Sequence, residues 1–204
     1  MRQTWFEGWR LFLLLTLILI ALCVWIAGMR QFEVDGVRMA IRFTARTSLL
    51  FFCLAFSAAA LARLWPNAFT RWQRRNRRYL GVTFAVSHAL HAAAIIAFAN
   101  MDPIGYAAAT SLASYIFGGI GYAFIVAMTA TSFDAAGALL GPQAWRALHL
   151  VGGYYLLLQF TVSFGKRIPE MPLYVLFLIP LAAVLMLRMV AMASRQTPRT
   201  VEAS

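Results

Sequence analysis

Six uncharged or nearly uncharged apolar runs divide the chain, and the polar and charged residues gather between them. The runs lie at about 11–28, 46–64, 79–99, 112–132, 144–164 and 173–192. Each approaches the ~20 residues that a helix needs to cross the hydrocarbon core of a bilayer. None shows the strict two-residue alternation of a half-buried strand, so all six are predicted as helices. Breakers fall between them. Asp35-Gly36 marks a turn in a mixed loop over 30–46, and Arg63, Trp65 and Pro66 close the second helix. Asp102-Pro103 turns the chain after the third, and Gly141-Pro142 ends a loop over 134–143 before the fifth. Pro180 is expected to kink the sixth. A cleaved signal is the competing reading of 11–28, but no A-x-A pattern follows it, and an uncleaved helix is expected.

Composition turns this pattern into a class. Of 204 residues, 62% are hydrophobic and 12% are charged, against roughly 45–50% and 25% in soluble domains. The expectation is an all-α integral membrane protein, a single domain over 1–204 built as a six-transmembrane-helix bundle. The net charge of +11 is read as anchoring against anionic membrane lipid rather than nucleic-acid binding, because the cations flank apolar runs. Arg71, Arg74, Arg75, Arg77 and Arg78 stand directly before the third run. Counting both chain ends, loop 63–78 and the start of the fifth helix on one side gives twelve arginines against six cations on the other. That ratio predicts both termini in the cytoplasm of a cell whose inner membrane the chain crosses several times. Cys23 and Cys53 both lie in predicted spans without metal-ligand spacing and are read as small buried residues.

The chemistry is concentrated in three histidines. His88 and His91 fall in the third span and His149 in the fifth. An ionisable side chain inside a membrane is a functional-site hypothesis by default, and imidazole is a frequent axial ligand of haem iron. His88 and His91 are one turn apart on one helical face, so they cannot sit on opposite sides of one haem plane. A six-coordinate haem then needs His149. With helices entering near Tyr79 and Ala144, His88 differs from His149 in depth by about 6 Å and His91 by about 10 Å. Pairing of His88 with His149 is feasible on depth, and His91 needs a helix tilt. The alternative is interhelical hydrogen bonding, with Ser87, Thr83, Tyr154 or Gln159 as partners. Gly118, Gly119 and Gly121 are positions where a neighbouring helix can approach closely. No carboxylate lies with the histidines in the spans, which disfavours a proton-relay transporter.

Three segments carry a resemblance: FTARTSLLFF in the second span, RRYLGVTFAVSHALH opening the third, and TATSFDAAGALLGPQAWRALHLVGGYY leading into the fifth. Over roughly residues 40–165 the chain resembles the ferric-reductase-like transmembrane domain family. Within it, the haem-binding membrane subunits of bacterial methionine sulfoxide reductase systems are most similar. The resemblance implies a six-helix protein with one or two b-type haems that carries electrons across the inner membrane as the subunit of an oxidoreductase. It implies a quinol or flavoprotein donor, with flavin or quinone as further cofactors, and a periplasmic reductase partner. It places the third-helix haem ligand at His91 and the first fifth-helix ligand at His149. The second fifth-helix ligand would fall at Val162, beside Thr161 and Gln159, and His88 is additional to the pattern. Three arrangements stay open. One haem binds His149 with His88 or His91; or one haem is five-coordinate or takes a non-histidine ligand; or haem has been lost. The arginines of 71–78, Arg77 and Arg78 among them, are candidates for haem propionates, a flavin phosphate or an acidic partner domain, and Arg42 and Arg46 for haem propionates, beside lipid anchoring and snorkelling. The readings from other classes are a haem-free scaffold or assembly subunit and a small transporter.

Overall fold

The computed structural model describes residues 6–196, with side chains to 194. Arg2 and Arg199, which enter the charge count, lie outside the described residues, as does the side chain of Arg195. Seven α-helices follow in order: α1 (Gly8–Gly28), α2 (Val34–Leu64), α3 (Ala68–Met101), α4 (Pro103–Ala109), α5 (Leu112–Ala130), α6 (Asp134–Gly165) and α7 (Val175–Gln196), with a 3₁₀ turn at Pro172–Tyr174 before the last. Among the described residues there is no strand. All but α4 are long and apolar enough to cross a membrane, and the chain is a multi-pass membrane protein by that measure. Much of the outer surface is apolar, as lipid contact requires: Leu17 is 65% exposed and Leu158 62%.

Two expected loops are helical. The mixed loop over 30–46 shrinks to residues 29–33, because α2 starts at Val34. Val37, Ala40, Thr44 and Ser48 repeat at helical spacing and are buried, while Arg38, Arg42 and Arg46 point outward. The arginine loop over 67–78 is the N-cap and about the first third of α3. Asn67 and Thr70 exchange hydrogen bonds in a capping box at its start. Thr70, Gln73, Asn76 and Leu80 then form a buried stripe, and the arginines occupy most of the remaining positions. Arginine is a good helix former, so a run of it does not end a helix. The break at Gly141-Pro142 is real: Gly141 has φ 76, which only glycine adopts readily, and Pro142 opens the membrane-crossing part of α6. A short helix nevertheless precedes it from Asp134. Pro180 sits inside α7.

α2 and α3 form the most extensive helix pair. A hydroxyl seam runs between them: Thr47 Oγ1 lies 2.8 Å from Ser87 Oγ, and Ser48 Oγ donates to Ser87 Oγ at 3.0 Å. Ser87 in turn donates to the carbonyl of Thr44 at 3.3 Å. Such bonds hold helices together where lipid supplies no hydrophobic drive. Phe52, Phe84, Phe160 and Phe164 fill the middle of the bundle and join α2, α3 and α6.

The tight glycines are not the expected ones. A Cβ on Gly118 or Gly119 would meet nothing within 4 Å, and one on Gly121 would make ordinary contact with Tyr155 and Leu156. A Cβ on Gly152 would instead collide with Phe124 and Met128, and one on Gly153 with the ring of Phe56. These two positions lock α6 against α5 and α2.

Both described chain ends lie at one end of the bundle. The amide of Gly8 donates to Asn76 Oδ1 at 2.9 Å, and Arg63 donates to the carbonyl of Ser194 at 3.0 Å. This end also carries the arginine run and is called the basic end below. The opposite, far end holds the α1–α2 turn and the α6–α7 connection.

Candidate cofactor site at the far end

The three histidines occupy three different environments. His91 faces α2. Its Nδ1 lies 3.1 Å from the carbonyl oxygen of Ile41 and 3.1 Å from Thr44 Oγ1. Thr44 directs its own proton to the carbonyl of Ala40 at 2.7 Å. Both neighbours of Nδ1 therefore accept, and the hydrogen bonds assign the proton to Nδ1. Nε2 is left with the lone pair. This is the arrangement in which a histidine is fixed for ligation: one ring nitrogen donates to the backbone and the other is available.

His91 lines a cavity of about 170 Å³ with Ile41, Arg42, Ala45 and Arg46 of α2, Ser163 and Phe164 of α6, Arg167 just beyond α6, and Tyr174. The buried ring of Tyr174 lies between two of the cations. The guanidinium of Arg46 stands 6.0 Å from its centre and that of Arg167 5.8 Å, with Arg46 also 5.4 Å from Phe177. Among the described residues, Arg42, Arg46 and Arg167 make no salt bridge to a carboxylate. Three cations thus share a cavity with an imidazole, and among the described residues no carboxylate pairs with them.

His88 is one turn away, its ring 5.3 Å from that of His91. It is packed by Tyr122 at 4.9 Å, Phe84 at 5.6 Å and Phe160 at 6.0 Å. Its Nδ1 is buried without a hydrogen-bond partner. Among the predicted partners, Ser87 bonds to α2 rather than to either histidine, and Thr83 bonds back to the carbonyl of Tyr79 at 2.9 Å.

His149 is elsewhere. Its Nε2 lies 3.2 Å from Thr131 Oγ1, and Thr131 gives its own proton to the carbonyl of Ala127 at 2.7 Å, so Nε2 is the donor. The ring stacks on Trp145 with centres 4.2 Å apart, and Trp145 Nε1 donates to the carbonyl of Thr131 at 3.0 Å. His149 and Trp145 fasten the end of α5 to α6.

The depth pairing of His88 with His149 does not form. α5 measures the offset: Tyr122 meets His88, whereas Thr131, nine residues further on, meets His149. At 1.5 Å per residue that is about 13 Å along the helix, twice the expected difference. The register follows from close packing at Gly152 and Gly153, which single helix depths do not contain. Of the arginines expected as anion contacts, Arg42 and Arg46 belong to the cavity. Arg78 pairs with Asp134 at 2.9 Å and lies over Trp9 and Phe133 at the basic end, and Arg77 is exposed there. Arg167 and Ser163 join the cavity without any mark in the sequence that singles them out. The spacing of Arg42 and Arg46, four apart on one face, was a signal in the sequence, but no linear pattern joins either to Arg167. Cys53 is buried, Cys23 is half-buried, and both are free.

Models of known protein families, curated proteins and solved structures were all compared with the chain, and none matches.

Proposed function

We propose that this chain binds b-type haem at the far end of the bundle and serves as an electron-transfer component of a membrane oxidoreductase. The observation that carries the reading is the hydrogen bond from His91 Nδ1 to the carbonyl of Ile41, which leaves the Nε2 lone pair free beside three guanidiniums that make no salt bridge among the described residues. The side-chain types suit the group, although the cavity of about 170 Å³ is smaller than a cofactor pocket of the usual ~300–1,000 Å³ and would have to widen to admit it. One imidazole suits the iron, and Arg42, Arg46 and Arg167 suit the two propionates. When bound, haem supplies one-electron chemistry. The residues would do the rest. His91 ligates, Ile41 and Thr44 hold its ring, and the arginines neutralise carboxylates and raise the reduction potential. Phe164 and Tyr174 keep water from the site.

One haem is proposed rather than two. His149 has its Nε2 engaged by Thr131, and aromatic rings fill the space between α3 and α6. Positive-inside asymmetry puts the basic end and both termini in the cytoplasm and the far end outside. The proposed setting is the bacterial inner membrane, with a quinol or flavoprotein donor and a reductase partner on the outer side. A haem-free scaffold is the second reading, favoured by the same aromatic filling and by Val162.

One spectrum separates them. The full chain, purified in detergent from cells supplied with haem precursors, is expected to be red. Its reduced-minus-oxidised difference should show a b-type α-band, and its pyridine haemochrome should give close to one haem per chain. A colourless protein with correct helix content would reject the haem reading and leave the scaffold.

A further inference from the structure

We infer that the far-end cavity binds a phosphate group, free or as the headgroup of an anionic phospholipid, on Arg42, Arg46 and Arg167. This goes beyond the haem reading and does not rest on it. It takes the cavity at the size it has and gives the same cations a smaller anion.

Size, charge and hydrogen bonding each point to that ligand. A cavity of ~150 Å³ accommodates a benzene-sized molecule. The far-end cavity, at about 170 Å³, admits a phosphate without moving its walls. Its lining holds three guanidiniums and no carboxylate. Two of them, those of Arg46 and Arg167, stand within 6.0 Å of the centre of one buried ring, Tyr174. Like charges gathered this closely repel, and among the described residues no salt bridge relieves them. A bound oxyanion does, and the guanidinium fork matches its oxygens two at a time. Ser163 adds a hydroxyl to the lining. His91, whose Nδ1 proton goes to Ile41, adds a nitrogen acceptor. That acceptor suits a ligand with an O–H beside its charge, which hydrogen phosphate and a phosphatidylglycerol headgroup carry and an ionised carboxylate lacks. The surroundings suit a lipid as well. Leu50 follows Arg46 by one turn on the same face of α2, deeper in the bundle, and is 54% exposed. An acyl chain has an apolar surface there while its phosphate stays at the arginines.

Two measurements on the full chain read this. The protein, stripped of lipid in detergent, is titrated with inorganic phosphate by calorimetry, with acetate as the control. It is also returned to bilayers of equal parts phosphatidylglycerol and phosphatidylcholine, and the lipid it keeps through re-extraction is identified by mass spectrometry. Wild type is expected to bind phosphate, more weakly as salt rises, to ignore acetate, and to keep phosphatidylglycerol in preference. Arg46→Ala with Arg167→Ala should weaken phosphate about tenfold, the scale of two partly screened charge pairs, and remove the lipid preference. Arg74→Ala with Arg77→Ala should change neither. Phosphate binding without lipid preference assigns the site to free phosphate, and lipid preference without phosphate binding assigns it to the headgroup; both sustain the inference. Neither response, equal binding of acetate, or an equal loss from the basic-end pair would overturn it. If the double variant fails to fold, Arg167→Gln, a single exposed change, should still weaken phosphate about threefold. No readout needs haem. A colourless protein that binds phosphate rejects the haem reading alone, and a red one that binds neither ligand rejects this inference alone.

Discussion

The two ends of the bundle both carry arginines, and they use them differently. At the basic end five arginines stand within eight residues, and their polar contacts go to different partners. Arg75 pairs with Glu7 at 3.3 Å, Arg78 pairs with Asp134, and Arg71 donates to the carbonyl of Pro66 at 3.3 Å. These are exposed or rim contacts of the kind that orient a chain against lipid headgroups and add little stability each. At the far end only three arginines matter, drawn from two separated segments, and they converge on one imidazole. Density along the chain marks membrane topology. Convergence in space is what the proposed site rests on.

The sharpest way to break that contrast is to remove one histidine from each environment. His91→Ala is expected to abolish haem binding completely, whereas His149→Ala keeps the haem, its spectrum and its stoichiometry. Equal loss from both variants would return the ligand set to an interhelical pair and end the distinction drawn here. The next effect concerns the register that separates the histidines. Gly153→Ala sets a Cβ into the Phe56 ring and should destabilise the detergent-solubilised protein by about 2 kcal/mol, the scale of overpacking. Gly118→Ala meets nothing within 4 Å and should leave thermal unfolding unchanged.

Charge removal tests the two arginine sets directly. Arg46→Ala combined with Arg167→Ala should lower the haem reduction potential in a spectroelectrochemical titration and weaken haem retention by about 1 kcal/mol or more. Arg74→Ala together with Arg77→Ala should move neither quantity. A matching drop in potential from the basic-end pair would mean that its field reaches the site as strongly. The smallest expected effect lies in the hydroxyl seam. Ser87→Ala should cost about 0.6 kcal/mol, the typical size of a polar contact between membrane helices, with the haem spectrum intact.

Much of the fold was legible in the chain, for local reasons. Apolar runs of membrane length, the Trp65-Pro66 stop and the Gly141-Pro142 break each act over a few residues and appear where expected. Residues 34–46 and 68–78, which their charge predicts as loop, are helical. In both, a buried stripe of small and polar residues continues beneath the arginines: Thr44 and Ser48 in α2, Gln73 and Asn76 in α3. A polar stripe that is satisfied across a helix interface looks solvated in a hydropathy pattern, because its partners lie in another segment. The candidate site was half legible. His91 stood out as an imidazole in a membrane, and Arg42 and Arg46 as cations four residues apart.

The sequence by itself determined six membrane-crossing helices, their stops and the asymmetry of charge, since hydropathy, capping and cation placement are properties of single segments. Only the tertiary structure decided that His91 rather than His149 stands under the arginines. It decided too that Arg167 and Ser163 share a cavity with His91. Those outcomes depend on how far one helix slides along another. That sliding is fixed by side chains meeting across the interface, chiefly the rings that close on Gly152 and Gly153, and no one-dimensional pattern carries it.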